Sequence, residues 1–367
     1  MDGLIQNPAV KKIWRTTMVV RGIDGAKIGC GIFIFAVFFK DKFLTMLTPA
    51  QAMTAIAALF SLFTILTTVL EVPTGAIGDI VGRKWSVVLS YASSFFYYLF
   101  MLLILLCDSL APLIVISFFA IAFDALNATF YSGSFTAWCV DALRRAAPDV
   151  GYEQILAPAK KAYLLSLLLS GALSIWLYLH GYVVLVFLLG TIINVIAAFY
   201  CAKAMEEAKA FTRQDFKALS FAKGMQRMGE VIGVGVQLFR SSKTIVFLIL
   251  IYAAYMSILH LTDYLWPVYL RSSVPLEQQQ VYWIGLVIGL QLSSFFGAQG
   301  LTSWTKRWRD KGVVKAQSEP CIESSRCHHR DPHRRHQWRK NADRLGHTSG
   351  HPAYCDPGWE LFFKEGR

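Results

Sequence analysis

The chain has 367 residues, 55% of them hydrophobic and only 16% charged, with a mean hydropathy of +0.44. That composition excludes a soluble domain of ordinary make-up, in which about a quarter of residues are charged, and predicts an all-α polytopic membrane protein. The net charge of +12 does not call for nucleic acid as a partner, because Lys and Arg gather beside apolar runs and near the end of the chain, as orientation signals do.

The start, residues 1–15, is basic, and no small-residue cleavage site follows it, so no cleaved signal peptide is expected. A helix needs about 20 apolar residues to cross the hydrocarbon core. That ruler predicts about eight spans, at 18–39, 52–73, 85–106, 112–138, 160–179, 182–201, 244–268 and 281–303. The first is the weakest, since Arg21, Asp24 and Lys27 occupy its opening turns and its apolar stretch is mostly Ile28 to Phe39. A tilted or partly interfacial first helix fits that pattern. Cys30, Cys107, Cys139 and Cys201 lie in or beside apolar runs and read as packing residues, not a disulfide framework.

Bases beside the span ends set the topology. Lys11, Lys12 and Arg15, then Arg83 and Lys84, Arg144 and Arg145, Lys160 and Lys161, and the bases from Lys306 to Lys311 all fall on one side, against Lys40, Lys42 and Arg271 on the other. Both termini are therefore expected in the cytoplasm, in a plasma or bacterial inner membrane. Four regions follow: a six-helix bundle over 1–201, a cytoplasmic linker over 202–243 able to form a surface amphipathic helix, two further spans over 244–303, and a basic, His-rich tail over 304–367.

The tail holds six of the eight histidines and no span. Its Cys and His spacings match no common zinc pattern, so no metal and no cofactor are expected. The leading account is a reading frame lost near Gly312, and a natural disordered tail is the rival.

Glu71-Val72-Pro73-Thr74 runs directly into Gly75-Ala76-Ile77-Gly78-Asp79-Ile80-Val81-Gly82-Arg83-Lys84 between two apolar runs. This string resembles the loop signature of major facilitator superfamily transporters. Ser132 to Asp141, at the close of the fourth span, resembles a stretch found at the same place in efflux-type members. The resemblance implies two six-helix bundles joined by a cytoplasmic linker, each bundle made of three-helix inverted repeats. On that pattern the first bundle is complete and the second incomplete. It also implies a conformational lock in which Gly75, Gly78, Asp79, Gly82, Arg83 and Lys84 form the loop and Asp79 pairs with bases and with a helix of the second bundle. The departures are a fifth span without the Gly-Pro pair of drug/proton antiporters, and Thr129 where their intramembrane arginine is expected.

Ionisable groups inside a span are costly unless paired or hydrated, so each is a functional candidate. Asp24 and Lys27 stand three apart on the first helix, either paired on one face or placed near the headgroups. Asp124 and Asn127 share a face of the fourth span, and Asp124 is the leading proton or cation site. His260 and Asp263, three apart on the seventh span, either shuttle protons or face external water. The spans hold no catalytic cluster and the chain no nucleotide-binding loop, so neither an enzyme nor ATP-driven transport is expected. The expectation is a secondary active transporter of small solutes, working by proton-coupled export, with the lipid bilayer, a solute and protons as partners. The rival is an inert remnant of such a transporter.

Overall fold

In the computed structural model the described residues are 7–147, 152–207 and 243–275, together with 278–279, 281–293 and the single positions 233 and 296. All belong to the unit Met1–Gly297. They are helical, with no strand among the described residues. The predicted linker beyond residue 207 up to 242 and the tail over 304–367 lie outside the described residues, apart from position 233.

The first predicted span is two helices. Helix α1 (Pro8–Gly29) begins ten residues earlier than expected, with Pro8 in its first turn and the Asn7 side chain accepting from the Ala9 N–H at 3.0 Å. It ends at Gly29, and the Gly31 N–H bonds the Ile28 carbonyl three residues back, tightening the chain into a turn before α2 (Phe35–Leu44). Two glycines within three residues weaken the helix there. The apolar stretch from Ile28 therefore turns inward, placing Phe35, Phe38, Phe39 and Phe43 in the main core.

Helix α3 (Pro49–Val81) opens with a capping box between Thr48 and Gln51 and carries Pro73 without ending. The expected loop at 75–84 is therefore largely helix. The turn is made by Gly82 alone, at φ +104, before α4 (Arg83–Leu105) begins. Helix α5 (Leu110–Tyr131) breaks at Ser132 and Gly133 and resumes as α6 (Ser134–Ala146). Helices α7 (Glu153–Leu179), α8 (Val183–Ala204) and α9 (Lys243–Ser273) follow, then α10 over Val281–Ser293.

Among the described residues, five helical stretches are long and apolar enough to cross a membrane: Pro49–Gly75, Arg83–Leu105, Leu110–Ala146, Ile155–Leu179 and Val183–Ala204. The protein is thus a multi-pass, all-α membrane protein among its described residues. Ile65, Val69, Ile196 and Phe199 stand exposed on these spans, as lipid-facing side chains do.

Helix α1 packs most extensively on α7, α4 lies between α5 and α8, and α3 packs on α5. The α1–α7 contact is backbone-close. A Cβ on Gly25 would collide with the Tyr163 carbonyl, and one on Gly29 with Ser170 and the Leu167 carbonyl. Small residues permit this approach, and in lipid such close packing is what joins helices.

Candidate functional site

The α1–α7 packing carries a polar helix into the interior. Asp24 and Lys27 are each 3% exposed, and the Lys27 Nζ lies 3.2 Å from Asp24 Oδ1. Of the two alternatives, pairing on one face is the outcome. Arg21 approaches the same carboxylate at 3.7 Å from its Nη1. Tyrosines close the cluster: Lys27 Nζ lies 5.1 Å from the Tyr91 ring centre and 5.5 Å from that of Tyr131, and Tyr98 donates to the Lys27 carbonyl at 2.6 Å.

The cluster reaches across to α5. Lys27 Nζ also donates to Asn127 Oδ1 at 3.1 Å, and Asn127 Nδ2 donates to Asp124 Oδ1 at 3.4 Å. One chain of contacts thus runs Asp24–Lys27–Asn127–Asp124. It borders a cavity of about 340 Å³ whose other walls include Phe35, Phe60, Phe63, Tyr97, Tyr98 and Tyr131. That size and mixture, apolar and aromatic walls with a few converging polar groups, suits a small-molecule site. Asp124 lies fourteen residues into α5, about 21 Å along its axis, so the carboxylate sits well inside a span.

Three predicted site residues, Asp24, Asp124 and Asn127, are therefore brought to one place. The side chains of His260, Asp263 and Asp79 lie outside the described residues. The remaining signature residues sit at the α3–α4 junction. Gly78 lies against Ser86 and Ser134, whose hydroxyls are 3.0 Å apart. Gly75 has open space beside it among the described residues. The Lys84 N–H donates to Glu207 Oε2 at 2.9 Å, and the same carboxylate occupies the space where a Cβ on Gly82 would stand. Thr129, in place of an intramembrane arginine, donates to its own helix at the Ala125 carbonyl, 3.0 Å away.

Sequence reasoning overlooked several contributors. Tyr131 is four residues after Asn127 and seven after Asp124, so helical spacing alone places it on their face. Glu206 and Glu207 had no such signal, because their partners are distant in sequence. Lys12 pairs with Glu206, the Trp138 indole donates to the Glu206 carbonyl at 2.9 Å, and Glu207 caps α4. The hydrogen bond from Lys12 holds the Glu206 carboxyl below the ordinary carboxylate range. Two residues after α8 thus tie together α1, α4 and α6.

At the other end of α2, Asp41 Oδ2 accepts from Tyr178 at 2.6 Å and lies 2.9 Å from Arg271 Nη2, linking α2, α7 and α9. No group of His, Cys, Asp and Glu suited to a metal ion occurs among the described residues. Neither protein-family models, nor curated proteins, nor solved structures match the chain.

Proposed function

We propose that the chain is a secondary active transporter of the major facilitator type, moving small solutes out of the cell in exchange for protons. The cavity carries this reading: a carboxylate deep in a membrane span faces a solute-sized, aromatic-walled space and is linked to a buried ion pair. Intramembrane carboxylates of this kind mark proton and substrate pathways. Asp124 takes the proton in this scheme. Lys27, held between Asp24 and Asn127, couples the charge of that site to α1.

The packing pattern supports the same architecture. With α1 and α2 counted as one crossing and α5 and α6 as another, the first six crossings fall into two sets of three. Exchanging the sets turns α1 on α7 into α5 on α3, turns α4 on α5 into α8 on α1, turns α3 on α4 into α7 on α8, and leaves α4 on α8 unchanged. All of these pairs pack, though α5 on α3 and α8 on α1 are less extensive than their counterparts, and α2 on α3 has no packed counterpart among the described residues. Three crossings are an odd number, so the second set starts on the opposite side of the membrane, which is the arrangement of inverted repeats. The signature string from Glu71 to Lys84 and the bases beside the span ends favour a plasma membrane location with a cytoplasmic amino terminus.

The test is reconstitution of the full chain in vesicles holding a trapped pH indicator, challenged with neutral, anionic and cationic solutes. Solute-dependent proton movement is expected, and Asp124→Asn should abolish it. Proton movement that survives in Asp124→Asn removes that residue from the mechanism. A chain that moves no solute and no protons ends the transporter reading.

A further inference from the structure

The charges lining the cavity do not balance. Among the described residues, Asp24, Lys27 and Asp124 are the charged groups on its wall, two carboxylates and one ammonium. The ammonium is fully engaged. It pairs with Asp24 at 3.2 Å, donates to Asn127 at 3.1 Å, lies near two tyrosine rings, and is 4% exposed in its side chain. Asp24 has Arg21 as a second cationic neighbour at 3.7 Å, and Arg21 is not part of the cavity wall. Asp124 has only the amide of Asn127, at a long 3.4 Å, and among the described residues no cation lies within ion-pair distance of it.

A half-buried carboxylate this far along a membrane span calls for a positive charge or a proton. Among the described residues no cation pairs with it directly, and Lys27 reaches it only through Asn127. The walls around it are aromatic and aliphatic, with Phe35, Phe60, Phe63, Tyr97, Ile32 and Ile121 among them. Such a wall buries an apolar body, and aromatic rings also attract a desolvated cation. An anionic solute meets the reverse: the one ammonium on the wall is already spoken for, and Asp124 would repel it.

Resting on the transport reading above, we propose that the solute is an organic cation, an ammonium group carrying an apolar or aromatic body. Its charge pairs with Asp124, and its body lies against the aromatic wall. The proton and the solute then compete for one carboxylate, so that binding either releases the other. The groups that share the cavity wall with Asp124 are Lys27 and Asp24 from α1, with Arg21 behind Asp24, Tyr97 and Tyr98 from α4, and Tyr131 and Asn127 from α5 itself, while α3 offers Phe60 and Phe63.

The experiment is equilibrium binding to the full chain in nanodiscs, corrected with protein-free discs. The probes are benzyltriethylammonium and 4-tert-butylbenzenesulfonate, which are similar in bulk and opposite in charge. The ammonium should bind, more weakly as the pH is lowered, and the sulfonate should not. Asp124→Asn should weaken ammonium binding about tenfold or more, the loss expected for removing one partner of a buried charge pair, and Asp124→Glu should keep most of it. Should Asp124→Asn fail to fold, the pH dependence in the unaltered chain and the Asp124→Glu variant still decide. The proposal is overturned if the sulfonate binds at least as well as the ammonium, if neither binds, or if ammonium binding is indifferent to acid or to Asp124→Asn. Because binding is read without transport, the two readings fail separately. A chain that binds the ammonium and moves nothing keeps the site and loses the transporter, while proton-coupled movement of other solutes without ammonium binding does the reverse.

Discussion

Helices α1 and α3 are inverted images of each other in polarity and burial. Helix α1 carries Thr16, Thr17, Asp24 and Lys27, and all four are buried. Helix α3 is strongly apolar, yet Ile65 is 60% exposed and Val69 49%. In water this would be an unstable arrangement. In a bilayer it is the favourable one, because hydrocarbon accepts apolar side chains at no cost while polar groups must find partners inside the protein. Hydropathy therefore locates the helices that face lipid and underrates the helix that lines the site.

The sharpest way to break this comparison is to unpair the buried charges. Lys27→Met leaves Asp24 with Arg21 alone at 3.7 Å and should destabilise the fold by about 3–5 kcal/mol, read as a lower thermal midpoint in detergent. Adding Asp24→Leu should recover most of that loss, since removing a buried pair together is far milder than orphaning one partner. If Lys27→Met leaves the midpoint unchanged, α1 is not held by its ion pair.

The next effect is steric. Gly25→Leu or Gly29→Leu drives a side chain into the α7 backbone at Tyr163 or Leu167 and should cost about 1–3 kcal/mol of overpacking. Cysteine cross-linking between α1 and α7 would report the separation directly. The smallest effect belongs to the lipid face: Ile65→Leu on α3 should shift stability by less than about 0.5 kcal/mol. A large loss there would mean that Ile65 is covered by another part of the protein.

Helices α4, α5 with α6, α7 and α8 were legible because each is a long apolar run bounded by bases, by glycine or by a short polar break. The first span was not, since Gly29 and Gly31 interrupt it and its polar residues mimic an interfacial segment. The signature from Gly75 to Lys84 reads as a loop because it is rich in glycine and charge, yet α3 runs on through Val81 and only Gly82 leaves the helix. Hydrogen bonding along the helix continues wherever glycine is given no reason to depart. Within the site, Asp124 and Asn127 were visible as an i, i+3 pair on one helix. Their connection to Lys27, a hundred residues away, was not.

By itself, the amino-acid order determined the solvent, the class of fold and the approximate place of each lipid-facing helix. These depend on local runs of hydrophobicity about as long as a bilayer is thick. Only the tertiary structure decided that α1 lies against α7 with its Asp24 and Lys27 inside, that Lys27 reaches Asn127, and that Asp124 faces the cavity with no cation of the described residues paired directly to it. Charge balance at a point in space sums contributions from residues far apart in the chain, and no local pattern in the sequence carries that sum.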